Sequence, residues 1–142
     1  MAAVRAAAVD VIVIKVPPLG GVRRALTVVA EAGVPVVVSS AMDTSIGLSA
    51  GIALAAALPE LTLACGLGTG TLLADDVVVP TVVPRGGSLA VAGPPEPDAQ
   101  ALLRAESRVS EMERTAALDR LADAWEAGTR ARVAGLVADS GL

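Results

Sequence analysis

Short apolar runs rich in β-branched residues alternate along the chain with longer segments whose apolar residues recur at helical spacing. Strands are predicted at residues 10–16, 36–39 and 61–65, and helices at 22–32 and 45–58. Glycine or proline follows each helix, which is typical of helix ends. The pattern predicts an α/β fold with about three βα units and a parallel sheet.

Polar residues stand where the predicted strands end. Lys15, Ser40 and Cys65 are equally spaced along the chain, and Ser39 directly precedes Ser40. Because parallel strands end at one edge of a sheet, these residues are expected to share the edge at which α/β proteins place their active sites. Lys15 alone interrupts an apolar strand, although a lysine on an exposed strand can also simply reach the solvent. Two serines could likewise do no more than end a strand.

The third predicted strand leads into the glycine-rich sequence CGLGTG. The backbone N–H groups of Gly66, Leu67 and Gly68 could face an anionic group there. The sequence lacks the pattern of a dinucleotide-binding loop. Cys65 is expected to be a small buried apolar residue, because the chain has no histidine that could activate it.

The pattern divides the chain into three parts. Residues 1–74 are predicted to form a partial α/β barrel, residues 75–97 an extended Pro/Gly-rich excursion, and residues 98–142 a helical C-terminal segment. Helices are predicted at 98–106 and from 110 to about 137, with a capping box between Ser110 and Glu113. Leu118, Leu121 and Trp125 form a sparse apolar stripe on the last helix.

Composition narrows the possible functions. The chain has 142 residues, 54% of them hydrophobic, and can therefore bury a core. It contains no histidine, which excludes histidine-based catalysis and histidine metal sites within this chain. A net charge of −4 without a basic cluster argues against nucleic-acid binding. The single cysteine suits a reducing compartment. The longest uncharged apolar run, 45–58, is too short to span a bilayer, and the N-terminus is a poor signal peptide. We therefore expect a cytoplasmic protein that binds neither membranes nor nucleic acid.

Three parallel strands cannot close a barrel, and an open apolar strand edge is normally covered. The chain is therefore expected to be the last part of a larger α/β barrel. Met1 would then be an internal methionine, a truncation or a misassigned start.

Three stretches carry a resemblance to a known family, which spans about residues 10–91. DVIVIKVPPLGGVRRAL, VPVVVSSAMDTSIGLSAGIALAAALPEL and ACGLGTGTLLADDVV resemble, in this order, the C-terminal part of the o-succinylbenzoate synthases of the enolase superfamily, particularly their actinobacterial form. The resemblance implies a TIM-like (β/α)₇β barrel. It also implies a capping domain built from both termini, to which the helical C-terminal segment would contribute.

The resemblance also implies a reaction and the residues that perform it. These lyases dehydrate 2-succinyl-6-hydroxy-2,4-cyclohexadiene-1-carboxylate, a small dicarboxylate, to o-succinylbenzoate in menaquinone biosynthesis. A Mg²⁺ ion stabilises the enediolate that forms when a lysine removes the α-proton. Lys15 matches the catalytic lysine of the sixth strand, which stabilises the anion as a cation. The substrate-binding positions are matched by Ser39, Ser40, Gly66, Leu67 and Gly68.

The chain departs from the family in what it lacks. The Lys-x-Lys pair and the three metal-binding carboxylates would lie before Met1, and Asp43, Asp75 and Asp76 do not reproduce the one-ligand-per-strand arrangement. We therefore expect no Mg²⁺ ligand in this chain, no dehydratase activity from the chain alone, and a requirement for the missing N-terminal part of the barrel. Two alternatives stay open: an N-acylamino acid racemase or dipeptide epimerase that uses the same lysine as a base, and a non-catalytic truncated fragment.

Overall fold

Strands β1 (Ile12–Ile14) and β2 (Val36–Val38) pair in parallel, with Val13 opposite Val37. The structure is a computed structural model that describes the backbone of residues 9–140 and the side chains of residues 9–129. It divides into two units at the boundary between Ala105 and Glu106. The first unit contains the sheet, and the second contains the long C-terminal helix.

Among residues 9–140, four α-helices belong wholly or mainly to the first unit. They are α1 (Val16–Leu19), α2 (Val22–Ala32), α3 (Ser45–Ala57) and α4 (Ala99–Glu106). The helices predicted at 22–32, 45–58 and 98–106 are confirmed to within a residue at either end. Helix α1 begins at Val16, the last residue of the predicted first strand, and Pro17 and Pro18 occupy its first turn, where a missing N–H costs nothing.

The core lies on one face of the sheet. Ile14, Val16 and Val38 are at most 4% exposed and pack with residues of α2 and α3, including Ala25 and Leu48. On the opposite face, Val13 is 62% exposed. A parallel sheet is usually covered on both faces. The described residues cover one face, because they contain no further layer to place on the other. We call the uncovered side, which carries Val11 and Val13, the open face.

The predicted third strand is wrong. Residues 61–65 form no strand, and a single parallel bridge joins Ser39 to Gly66. The Gly66 N–H donates to the Val38 carbonyl (2.8 Å), and the Ser40 N–H donates to the Gly66 carbonyl (3.0 Å). The apolar side chains of this segment are 41% exposed at Leu61 and Leu63, so they contribute little of the burial that stabilises a strand. The sheet therefore has two strands, and the third segment joins it through the single bridge at Gly66.

Residues 75–97 contain neither a helix nor a strand. A hairpin-like bridge joins Arg85 and Ser88 across Gly86 (φ +57°) and Gly87 (φ +79°), a pair of positive φ angles that suits a tight reversal of the chain. A short 3₁₀ helix, Thr69–Leu72, precedes this segment.

The second unit is dominated by helix α5 (Glu111–Ser140). Its capping box forms as predicted: the Glu113 N–H donates to Ser110 Oγ (3.3 Å), and the Ser110 N–H donates to Glu113 Oε2 (2.9 Å). The residues of the predicted stripe are between 57% and 69% exposed; they are Leu118, Leu121 and Trp125. Within the described residues, no helix combines the length and the apolar character needed to cross a membrane.

Candidate functional site

Three residues form a row across the carboxyl ends of the strands. Lys15 directly follows β1 in extended conformation (φ −118°, ψ 128°), and Ser39 directly follows β2. The Ser39 N–H donates to the Ile14 carbonyl (2.9 Å), and Ser39 bridges to Gly66 on its other side. Continuing the strand register by one residue places Lys15 opposite Ser39. The structure therefore brings these predicted site residues together at one edge of the sheet.

The row belongs to the open face. Side chains alternate along a strand, so Lys15 lies on the same side as Val13, and Ser39 on the same side as Val37. Lys15 is exposed, and its ammonium group has no hydrogen bond or ion pair with any described residue. It is also the sole lysine of the chain. An exposed cation at the end of a strand is thus free to meet an anionic ligand.

The hydroxyl of Ser39 is weakly held. Its contacts with the carbonyl oxygens of Ser40 and Gly66 are both 3.4 Å long, beyond the usual range for an O–H donor. The side chain is half-buried. Ser39 can therefore exchange these contacts for a better acceptor on a ligand.

Gly66 leaves room for the side chain of Ser39. A Cβ atom at position 66 would lie 2.9 Å from Ser39 Oγ and 3.3 Å from Ser39 Cβ, closer than packed atoms approach. We call the space that Gly66 leaves beside Ser39 the Gly66 notch. A larger residue here would push the Ser39 hydroxyl aside.

Ser40 lies on the helix side of the sheet and differs from Ser39. It is 4% exposed, its hydroxyl donates to the Gly66 carbonyl (3.1 Å), and it lies 2.6 Å from Thr69 Oγ1. The two adjacent serines thus face opposite sides of the sheet. Thr69 was not among the predicted site residues, because no local sequence signal pairs two hydroxyls 29 residues apart.

The remaining predicted residues lie in the loop after the bridge. The Leu67 side chain is 4% exposed and packs so closely on α3 that a Cβ at Gly51 would lie 2.8 Å from its Cδ2 atom. Gly68 is exposed. Within residues 9–140, the N–H groups of Leu67 and Gly68 make no hydrogen bond. These two donors are available to an anion, whereas the Leu67 side chain belongs to the core.

A buried aspartate holds the start of helix α3. The carboxylate of Asp76, 8% exposed, accepts hydrogen bonds from the Ser45 N–H (3.0 Å), Ser45 Oγ (2.5 Å) and the Val77 N–H (2.7 Å). Ser45 Oγ in turn accepts from the Val82 N–H (2.8 Å). Asp76 therefore caps helix α3 from a distant part of the chain. The sequence signal that could have found it is a carboxylate at the edge of an apolar run.

The described residues do not fit a Mg²⁺ site. They contain no group of three acidic, histidine or cysteine side chains that could hold a metal ion. The oxygens of Asp76 are engaged by N–H and O–H donors, and Asp43 accepts a hydrogen bond from the Ala41 N–H (2.9 Å). The chemistry of this site is therefore that of a cation and hydrogen-bond donors.

Comparison with known proteins identifies the family of this chain and several similar enzymes. Residues 1–99 match the enolase C-terminal domain-like family. The chain is 57% identical over 95 residues to o-succinylbenzoate synthase of Mycolicibacterium smegmatis, covering 67% of this chain and 29% of that protein. It is 60% identical over 86 residues to the Thermobifida fusca enzyme of the same name, covering 61% and 27%. With the Mycobacterium tuberculosis enzyme it shares 55% over 92 residues, covering 65% and 28%. The chain thus spans less than a third of the length of these curated relatives.

Proposed function

Because this chain belongs to the enolase C-terminal domain-like family, we propose that it is the C-terminal part of an o-succinylbenzoate synthase. In this proposal the complete enzyme is a Mg²⁺-dependent lyase that dehydrates 2-succinyl-6-hydroxy-2,4-cyclohexadiene-1-carboxylate in menaquinone biosynthesis. The observation that carries it is the row formed by Lys15, Ser39 and Gly66 at the strand ends, with an unpartnered ammonium on the open face.

Lys15 acts as a cation in this proposal. Loss of the α-proton places negative charge on the oxygens of the substrate carboxylate, and an ammonium group nearby lowers the energy of that anion. At a separation of about 4 Å and an effective dielectric constant of about 20, the attraction is worth about 4 kcal/mol. The group that removes the proton and the ligands of the Mg²⁺ ion are assigned to the part of the enzyme that this chain does not include.

The substrate carboxylates meet neutral donors. The Ser39 hydroxyl, whose internal contacts are long, donates to one carboxylate, and the Gly66 notch keeps that hydroxyl in reach. In this proposal the N–H groups of Leu67 and Gly68, which have no partner among the described residues, donate to the same anionic ligand. Ser40 lies on the buried side of the same strand end. Its hydroxyl contacts the Gly66 carbonyl and Thr69 Oγ1, so it stabilises the strand end and does not contact the ligand.

A chimaeric enzyme tests the proposal. The 95-residue matching segment of the Mycolicibacterium smegmatis relative is replaced by the segment of this chain, and formation of o-succinylbenzoate is followed with added Mg²⁺. We expect the chimaera to keep turnover within about tenfold of the parent relative. Some loss is expected because small misplacements of side chains at the site lower the rate. Turnover of an N-acylamino acid in place of the diene would favour the racemase alternative. A folded chimaera without dehydratase activity would contradict the proposal.

Lys15→Met in the chimaera tests the assigned role. Methionine keeps the length of the side chain without its charge, so we expect kcat to fall about 1,000-fold, as the loss of about 4 kcal/mol requires. Lys15→Arg should retain more activity than Lys15→Met. The matched control is Arg23→Met, which removes an exposed cation from helix α2 and should leave kcat unchanged.

A further inference from the structure

We propose that Thr69 is a positioning residue, which acts through Ser40 to hold the Gly66 carbonyl and so leaves the Ser39 hydroxyl free for a ligand. The inference rests on the proposed function for the identity of that ligand. The Ser40 and Thr69 hydroxyl oxygens are 2.6 Å apart, and Ser40 Oγ is 3.1 Å from the Gly66 carbonyl oxygen. We call these two hydroxyls the Ser40–Thr69 clasp.

The direction of the hydrogen bonds follows from counting protons. Each hydroxyl has a single proton to donate, and Ser40 is within reach of two acceptors, the Gly66 carbonyl and Thr69 Oγ1. Thr69 has Ser40 as its sole side-chain partner among the described residues. If Ser40 gave its proton to Thr69, the half-buried Thr69 hydroxyl would have no acceptor among the described residues, and the Gly66 carbonyl would lose the Ser40 hydroxyl as a donor. When Thr69 donates to Ser40 and Ser40 donates to Gly66, both protons are used.

The direction of these hydrogen bonds determines whether the Gly66 carbonyl can also accept a bond from the Ser39 hydroxyl. The Gly66 carbonyl receives the Ser40 N–H at 3.0 Å and the Ser40 hydroxyl at 3.1 Å. A carbonyl oxygen has two lone pairs, and these two bonds, both shorter than the 3.4 Å Ser39 contact, occupy both. The Ser39 hydroxyl, at 3.4 Å, is a poor third donor. Its proton is therefore available on the open face, beside Lys15.

The clasp also fixes the loop that supplies the backbone donors. Thr69 is the first residue of the 3₁₀ helix, and Gly66, Leu67 and Gly68 lie directly before it. The clasp and the two backbone bonds of the bridge therefore hold this loop from both of its ends. Without the Thr69 hydroxyl, the buried Ser40 oxygen loses its donor, and the hydrogen bond that ties the start of the 3₁₀ helix to the strand end is lost.

The test compares Thr69→Val, which is nearly isosteric but lacks the hydroxyl, with Thr69→Ser, which keeps it. Thr71→Val is the matched control, because the exposed Thr71 hydroxyl bonds within its own turn, to the Gly68 carbonyl (2.9 Å). Two quantities are measured on the full chain. One is the hydrogen exchange rate of the Ser40 and Gly66 amides. The other is the dissociation constant of o-succinylbenzoate, read from the resonance of the sole lysine after isotope labelling.

We expect Thr69→Val to accelerate exchange at both amides and to weaken o-succinylbenzoate binding, each by about tenfold, as loss of one hydrogen bond implies. Thr69→Ser should restore both quantities to within about threefold of the wild type, and Thr71→Val should change neither beyond that range. Melting temperatures measured alongside distinguish local loosening from global unfolding. If Thr69→Val does not fold, Thr69→Ala removes the same hydroxyl with a smaller side chain.

The inference is overturned if Thr69→Val exchanges like Thr71→Val. It is also overturned if Thr69→Ser behaves like Thr69→Val, since the methyl group rather than the hydroxyl would then matter. A wild-type chain that does not bind o-succinylbenzoate would count against the proposed function, and the exchange comparison would still decide the role of the clasp.

Discussion

At the scale of single residues, the site depends on which side of the sheet each side chain faces. Ser39 and Ser40 are neighbours in sequence, yet the first is half-buried with long contacts and the second is 4% exposed with a saturated hydroxyl. Residue type alone would rank them equally as ligands. The difference arises from the alternation of side chains at the end of β2.

Gly66→Ala should disturb ligand binding more than folding. The added methyl group would lie 2.9 Å from Ser39 Oγ, so the hydroxyl must move, and we expect o-succinylbenzoate to bind about tenfold more weakly. Gly93→Ala is the control, because its Cβ would meet no atom within 4 Å. Calorimetric titration of both variants decides the matter. Equal affinities would show that the Gly66 notch has no role in binding.

At the scale of elements, helix α3 is held by a residue far from it in sequence. The Asp76 carboxylate takes the orphan N–H of Ser45, while the side chain of Thr44, at the N-cap position, makes no capping hydrogen bond. The same node ties Val77 and Val82 to the helix. The Pro/Gly-rich segment is therefore anchored although it has no strand or helix of its own.

Asp76→Ala should lower the free energy of unfolding by about 3 kcal/mol, because several buried donors lose a charged acceptor. Asp75→Ala, at the exposed neighbour, should cost far less. Urea denaturation followed by circular dichroism measures both. Similar losses in the two variants would contradict the assigned role of Asp76.

Helix α5 should respond to acid through its capping box. The Ser110 hydroxyl, and then the Ser110 N–H, donate to Glu113 and lower the pKa of this carboxyl below its ordinary value of 4.5. Since the folded-state pKa is lowered, the stabilising contribution is complete above pH 4.5 and is lost as the pH falls through the folded-state pKa. Helicity measured by circular dichroism should therefore decrease more on acidification in the wild type than in Glu113→Gln. Identical acid profiles would argue against this coupling.

At the scale of the whole molecule, the open face leaves apolar surface in water. Val13 is 62% exposed on a sheet whose other face is packed by helices. In the proposed enzyme the rest of the barrel would close around this face. For the chain by itself, the exposed strand is a surface on which copies can associate.

We expect the purified chain to self-associate with rising concentration, and Val13→Thr to weaken that association about fivefold, as loss of roughly 1 kcal/mol of apolar contact implies. Val79→Thr is the matched control, since Val79 is 66% exposed outside the sheet. Sedimentation velocity distinguishes them. Equal association of the two variants would place the contact elsewhere.

Sequence reasoning predicted the features that depend on local pattern. Helices α2 and α3, the capping box at Ser110 and the position of Lys15 at the end of a strand follow from patterns of a few residues. The failed strand at 61–65 depends on neighbouring strands, which no local pattern supplies. Thr69 and Asp76 also escaped prediction, because their hydrogen bonds join residues 29 and 31 positions apart.

The alternation of the two strands has a consequence that can be stated in residue numbers alone. Even-numbered positions 14, 16, 36, 38 and 40 are buried, whereas odd-numbered positions 11, 13 and 15 are exposed and 37 and 39 are intermediate. In these short segments the even-numbered side chains therefore pack the core, and the odd-numbered side chains line the face that meets a ligand. A change of substrate preference could accumulate at odd positions while the even positions stay fixed, so that this edge of the sheet can acquire new specificity without being refolded.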